Sequence, residues 1–254
     1  MTDLSNKTVL VTGASGGIGH EIARLIGAAG ANVIAQWGQN PEGAARATVD
    51  VPSSRKLLVQ ADFSQPKGAE ALWQEAVDWK GRVDVIVNNA AVMPEAGIED
   101  PLSDWDEAWA RAMSINVVQP AKLLRLAVGH FLEHRGGIII TLSSWAAQRG
   151  AGNPKLVAYA ASKAAMAAAT KTIARSYARS NILAYCVAPG PVDTEMTRRS
   201  ALNQGGLDSV RAALSIGDII PPQEIAEIVS FLASGVARHL TGATLDVNGA
   251  TYIR

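Results

Sequence analysis

Cysteine is almost missing from this 254-residue chain. Cys186 stands alone, so no disulfide can form within the molecule, a composition that fits a reducing compartment. Charge of one sign is also lacking: 23 basic residues balance 23 acidic ones, and no run of Lys and Arg disturbs the balance. Nucleic-acid or anionic-membrane binding therefore has no electrostatic support. No apolar run reaches the roughly 20 residues needed to span a bilayer, and the opening MTDLSNKTVL lacks a signal-peptide core. The expectation is a cytoplasmic protein that partners neither nucleic acid nor membrane. Metal-ligand spacing is absent as well. His20, His130, His134 and His239 stand apart from cysteine and carboxylates, so no metal is expected. His130 and His134 read as part of a helix end, and Cys186, inside an apolar run, as an inert thiol.

What is present is alternation. Short apolar runs at 8–13, 32–37, 56–62, 83–91, 136–144, 181–190 and 243–249 read as strands. Helical patterns at 19–30, 41–50, 67–80, 103–132, 155–179 and 222–234 lie between them. Strands separated by such helices imply crossover units and a parallel sheet. The strands are apolar almost throughout, as when both sheet faces are covered. No repeat, linker or low-complexity tract interrupts residues 1–254. The fold class is therefore α/β: a single doubly wound Rossmann domain, with a parallel sheet of about seven strands and helices on both faces. Residues 193–220, polar and rich in Gly and Ser after a strand end, form a candidate mobile lid.

Four of the eight residues in TGASGGIG (Thr12–Gly19) are glycine. Glycine costs about 0.5–1 kcal/mol against alanine inside an element, so backbone angles or bare space must be needed here. The stretch follows the first strand and opens the first helix. Gly13 permits a tight turn, and Gly17 and Gly19 permit close approach of a ligand and of the helix to the sheet. The free N–H groups at the helix start suit a pyrophosphate.

The spacing G-x-x-x-G-x-G resembles that of the short-chain dehydrogenase/reductase family, and of its 3-oxoacyl-carrier-protein-reductase-like members. The resemblance covers nearly the whole chain, through Asp62 in QADFS, NNAA at 88–91, Asn116, Ser144, YAASK at 159–163, PGPVDTEM at 189–196 and LTGATLDVNG at 240–249. It implies an NAD(P)-dependent oxidoreductase that moves a hydride between nicotinamide and a carbonyl or secondary alcohol. Its implied catalytic residues are Asn116, Ser144, Tyr159 and Lys163. Those implied to hold the cofactor are Gly13, Ser15, Gly16, Gly17, Ile18, Gly19, Trp37, Asp62, Phe63, Asn89, Ala90, Ala91, Tyr159, Lys163, Pro189, Gly190, Val192 and Thr194.

Tyr159 and Lys163, four apart at a helix start, share one face. A nearby ammonium favours tyrosinate and lowers a phenol pKa that is otherwise near 10. Lys163 can also hydrogen-bond a ribose. Tyr159 would protonate a developing alkoxide during reduction, or deprotonate an alcohol during oxidation. Ser144 ends the fifth strand, where open α/β sheets place their ligands; Ser143 points the opposite way. Ser144 and Tyr159 stand 15 apart against a usual family spacing of 13, so the stretch 149–158 is expected to carry a loop that shapes the pocket with Trp145. Pro120 has no N–H to bond back to the carbonyl of Asn116. That carbonyl is expected to stay open for a relay water.

Ala91 stands where the family usually has glycine. The position at which NAD-using relatives carry an acid is Trp37, and Gly16 stands where NADP-using relatives often carry a basic residue. No carboxylate repels a 2′-phosphate, and Gln36, Gln39 and Asn40 are neutral donors nearby. NADP is expected, with NAD as the alternative. A non-catalytic dinucleotide-binding regulator would be expected to lack Ser, Tyr or Lys of the catalytic set. A sugar-nucleotide epimerase would carry a larger C-terminal part. By family analogy the helices at 103–132 and 155–179 pair across a two-fold axis in a homotetramer or dimer. The expected substrate is a small carbonyl compound or alcohol.

Overall fold

A computed structural model describes residues 2–254. Seven strands form one sheet in the order β3-β2-β1-β4-β5-β6-β7, and every neighbouring pair runs parallel. The strands are β1 (Thr8–Val11), β2 (Asn32–Trp37), β3 (Lys56–Gln60), β4 (Val85–Asn88), β5 (Gly137–Leu142), β6 (Ile182–Pro189) and β7 (Thr244–Val247). The helices are α1 (Gly17–Ala28), α2 (Pro41–Ala47), α3 (Gly68–Lys80), α4 (Leu102–Met113), α5 (Gln119–Glu133), α6 (Ala146–Arg149), α7 (Val157–Tyr177), α8 (Glu195–Leu202), α9 (Leu207–Ala212) and α10 (Pro222–Ser234).

Period-two alternation sends the strand side chains to two cores. Val9, Val33, Val85 and Ile140 meet Ile22 and Ile26 of α1 and Ile225 and Val229 of α10. Leu10, Ile34, Ile86 and Ile139 meet Leu72 of α3, Leu123 and Phe131 of α5 and Met166 of α7. Each such side chain contributes about 1.5–3 kcal/mol when fully buried. The strand order reverses direction between β1 and β4, the switch point at which doubly wound sheets open a crevice.

One expected element differs. The single helix expected over 103–132 is interrupted by a π-turn at Ser114–Val118, closed by the Gln119 N–H bonding back to the Ser114 carbonyl. Pro120 sits in the first turn of α5, where its missing N–H costs least. Within the candidate lid at 193–220 lie two short helices, α8 and α9. Both of its ends are tied down: Asp193 N–H donates to Ile220 O at 2.9 Å and Ile220 N–H to Pro191 O at 3.0 Å. His130 is buried; its Nε2 accepts the Val83 N–H at 3.1 Å, and burial pushes its pKa down. Its ring stacks on His134 at 4.0 Å, which accounts for both histidines as helix-end structure.

Gly13 and Gly17 adopt left-handed φ values of 68° and 53°, the angles glycine alone takes freely. Gly19 serves space instead: a Cβ there would collide with the Gly13 carbonyl and the Asn89 amide. Gly19→Ala should therefore cost at least about 2 kcal/mol, seen as a fall of about 4–8 °C in Tm. A melting temperature equal to that of the unaltered chain would show that α1 can shift away without loss.

Candidate active site

The crevice at the switch point is a cavity of about 720 Å³, lined by the carboxyl ends of β1 to β6 and by α1, α4, α7 and α8. Its size lies within the range for small-molecule sites.

One end is built by the glycine turn. Gly13, Ser15, Gly16, Gly17 and Ile18 line the cavity. Gly16 is the N-cap of α1, and no side chain caps the helix start or places an acid in its first turn. The free N–H groups and the positive end of the helix dipole thus face the cavity. A Cβ on Gly16 or Gly38 would meet nothing within 4 Å. An uncapped helix start beside open backbone fits a dinucleotide pyrophosphate. Asp62, Phe63, Asn89, Ala90 and Ala91 form the adjoining walls. Ala91 is absent from the left-handed residues, so alanine replaces the family's glycine there without backbone strain. Asp62 is held below the usual carboxylate range, chiefly by the Ser64 N–H, which donates to its Oδ1 at 2.8 Å.

The other end gathers Ser144, Tyr159 and Lys163 with Pro189, Gly190, Val192 and Thr194. Lys163 is 7% exposed, and its Nζ donates to the Leu142 carbonyl at 2.8 Å. Burial pulls its pKa from the ordinary 10.5 to about 8. Lys163 Nζ lies 5.8 Å from the centre of the Tyr159 ring. The phenol behaves opposite to expectation. Its pKa is pushed up by burial, and the Ser144 side chain beside it pulls weakly the other way. The ammonium, held by Leu142 O, does not reverse that shift. The Ser144 hydroxyl also accepts the Ala146 N–H at 3.1 Å, so it is bonded to the first residue of α6 as well as facing Tyr159. Ser143 also lines the cavity, and its hydroxyl turns to α7 and donates to the Lys163 carbonyl at 3.2 Å.

Three expected site residues do not line the cavity. Trp37 ends β2 on the face shared with Ala35, and the next residues, Gly38 and Gln39, reach the cavity instead. Gly19 lies within α1 against the glycine turn. Asn116 lies behind the cavity wall in the π-turn. Its Oδ1 accepts the Val92 N–H, and its Nδ2 donates to Val92 O, both at 2.8 Å, and to Ser162 Oγ at 3.0 Å. Its amide is thereby spent on holding the β4 loop to α7. Sequence reasoning missed Arg111 and Ile115, four apart on one helical face, which both line the cavity. It also missed Thr12, whose hydroxyl accepts the N–H groups of Asn89 and Ala90, each at 3.0 Å.

The family model described as Enoyl-(Acyl carrier protein) reductase matches residues 13–250. The chain is 34% identical to 3-oxoacyl-(acyl-carrier-protein) reductase FabG of Vibrio cholerae, covering 99% of both chains. It is likewise 34% identical to 3beta-hydroxysteroid dehydrogenase 1 of Eggerthella lenta, covering 97% of this chain and 94% of that one. Acetoacetyl-CoA reductase of an Acinetobacter species is also 34% identical, with 97% and 98% covered.

The buried lysine has a measurable cost. Between pH 8 and 10.5 the unfolded chain holds a proton on residue 163 that the folded chain has released, so this group adds stability as pH rises through that window. Below pH 8 the folded protein carries the whole penalty, about 3 kcal/mol for a shift of this size, part of which the Leu142 bond already offsets. Lys163→Met should therefore raise Tm at pH 7, by an advantage that fades toward pH 10.5. Equal melting curves across that range would contradict the costly buried charge.

Proposed function

The chain belongs to the short-chain dehydrogenase/reductase family, and we propose that it is an NADP-dependent reductase of ketones, acting through Tyr159 as the proton donor. The observation that carries this reading is the convergence of Ser144, Tyr159 and Lys163 at the cavity end opposite the uncapped start of α1. When bound, the nicotinamide supplies or accepts the hydride. Gly13 to Ile18 would hold the pyrophosphate, Asp62 and Phe63 the adenine end, and Lys163 the ribose. Val192 and Thr194 would hold the carboxamide.

Ser144 would orient the substrate carbonyl, and Tyr159 would donate its phenolic proton to the oxygen as negative charge develops there. Burial keeps that phenol protonated, which is the form reduction needs. Asn116 contributes through its main-chain carbonyl, which Pro120 cannot occupy and which would take a relay water, while its side chain fixes the wall. The named relatives act on oxoacyl, acetoacetyl or hydroxysteroid groups, each a ketone or the corresponding alcohol. We carry over that interconversion alone. Preference for NADP is supported by the lack of a carboxylate at Trp37, Gly38 and Gln39 and by the open space over Gly16 and Gly38. Asn40 is excluded as a free acceptor, since its Oδ1 caps α2 through Gly43 N–H at 2.9 Å.

Tyr159→Phe should lower kcat at least about 10³-fold while leaving cofactor affinity within about 2-fold. Retained turnover in that variant would refute the assignment. The pH dependence gives a second check. With Lys163 at about 8, the reduction rate should fall as pH rises through that value and the positive charge is lost. In Lys163→Arg the guanidinium stays charged, so the fall should move upward by at least about one pH unit. An unmoved alkaline limb would exclude Lys163 as its source. Initial rates with a ketone panel, followed by nicotinamide absorbance, should favour NADPH over NADH; a reversed ratio would overturn the cofactor preference.

A further inference from the structure

β2 carries one buried polar side chain: Gln36, 3% exposed, one residue before the strand ends. β2 lies between β1 and β3, and Gln36 reaches both. Its Oε1 accepts the Gly13 N–H at 2.7 Å, and its Nε2 donates to the Ala61 carbonyl at 2.7 Å. Its own carbonyl accepts the Ala14 N–H at 2.8 Å. The Gly13 N–H can only donate and the Ala61 carbonyl can only accept, so the amide orientation is fixed by chemistry. Gln36 also lines the cavity.

We propose that Gln36 is a positioning residue that sets the spacing between the pyrophosphate cradle and the adenine wall, and so governs affinity for the adenosine diphosphate half of the cofactor. The proposal rests on the dinucleotide reading above. Gly13 opens the cradle, and Ala61 precedes Asp62 and Phe63. Among the described residues, the Gln36 amide is the single side chain bonded to both. With its Oε1 and one Nε2 N–H spent on these two walls, its effect should fall on the adenosine diphosphate half that NAD and NADP share. Removing it would leave the Gly13 N–H and the Ala61 carbonyl without their partner and let the two walls drift apart. The nicotinamide end, built on β5, α7 and the segment after β6, does not touch it.

Two variants test this. Gln36→Met keeps the volume and removes both bonds. It should weaken binding of ADP by at least about 10-fold (a difference of about 1.4 kcal/mol), leave nicotinamide mononucleotide binding within about 2-fold, and leave kcat at saturating cofactor within about 2-fold. Gln36→Glu keeps the acceptor for Gly13 but, when ionised, sets a negative oxygen against the Ala61 carbonyl. When protonated, its O–H can replace the lost donor, and burial raises the pKa of such a carboxyl into an accessible range. Its ADP affinity, divided by that of the unaltered chain at each pH, should be reduced at pH 8 and recover at pH 5. Titration calorimetry with ADP and with nicotinamide mononucleotide reads both variants, and circular dichroism reads their folding. If Gln36→Met does not fold, the pH ratio of Gln36→Glu decides. ADP affinity within about 2-fold of the unaltered chain at both pH values would overturn the proposal, as would equal losses for ADP and the mononucleotide. Failure of the unaltered chain to bind ADP would instead overturn the dinucleotide reading, and this proposal with it.

Discussion

The hydroxyl of Thr12 holds open the place where everything else happens. It donates to the Val87 carbonyl at 3.2 Å and accepts two N–H groups from the segment after β4. Asn89 returns the tie through its amide, at 2.8 Å to the Thr12 carbonyl and 3.3 Å to that of Gly13. At a switch point, neighbouring strands send their chains to opposite faces of the sheet, and their last backbone groups lose ladder partners. Leaving such groups unpaired would cost about 1–3 kcal/mol each. Thr12 and Asn89 satisfy them with short side chains that fill little of the crevice. The glycine turn on one side and residues 89–92 on the other are thereby fixed as two walls with a gap between them.

Much of this architecture was legible because parallel strands covered on both faces leave a simple sequence signal. Val9, Val11, Val33, Ala35, Val85 and Val87 face one core, while Leu10, Ile34 and Ile86 face the other. An apolar run without alternation is therefore what such a strand must show. The break in the helix over 103–132 was not legible. A π-turn adds one residue to a single turn, and the apolar pattern resumes after it. Only Pro120 marked the spot.

The site was legible in its residue types more than in its contacts. Ser144, Tyr159 and Lys163 come together as expected. The carbonyl that holds Lys163 belongs to Leu142, 21 residues away, and nothing in the local pattern announces it. Charge proximity alone predicts a lowered Tyr159 pKa, and burial, which the local pattern does not show, raises it. Trp37 illustrates a different failure. It occupies the family's discriminating position by sequence, yet alternation places it on the face of Ala35, away from Gln36, which lines the cavity together with Gly38 and Gln39. Alternation alone would have sufficed to foresee this.

A common logic joins these details. The sheet is apolar along its length and becomes polar where its strands end: Gln36, Thr141 and Ser143 are all buried. Thr141 bonds Thr170 of α7 at 2.7 Å, and Ser143 bonds the carbonyl of Lys163. These side chains fasten strand ends to one another and to α7, the helix that carries Tyr159 and Lys163. Burying them costs free energy unless they are hydrogen-bonded. Once bonded, they fix backbone positions in a way that apolar contacts, which are non-directional, do not. The buried ammonium of Lys163 belongs to the same pattern. Its charge is disfavoured by burial, and the Leu142 carbonyl that bonds it comes from the last residue of β5. Stability is conceded at the carboxyl end of the sheet so that a cation and a phenol can stand in fixed register beside an open helix start, and the two apolar cores beneath supply the stability that makes this tolerable.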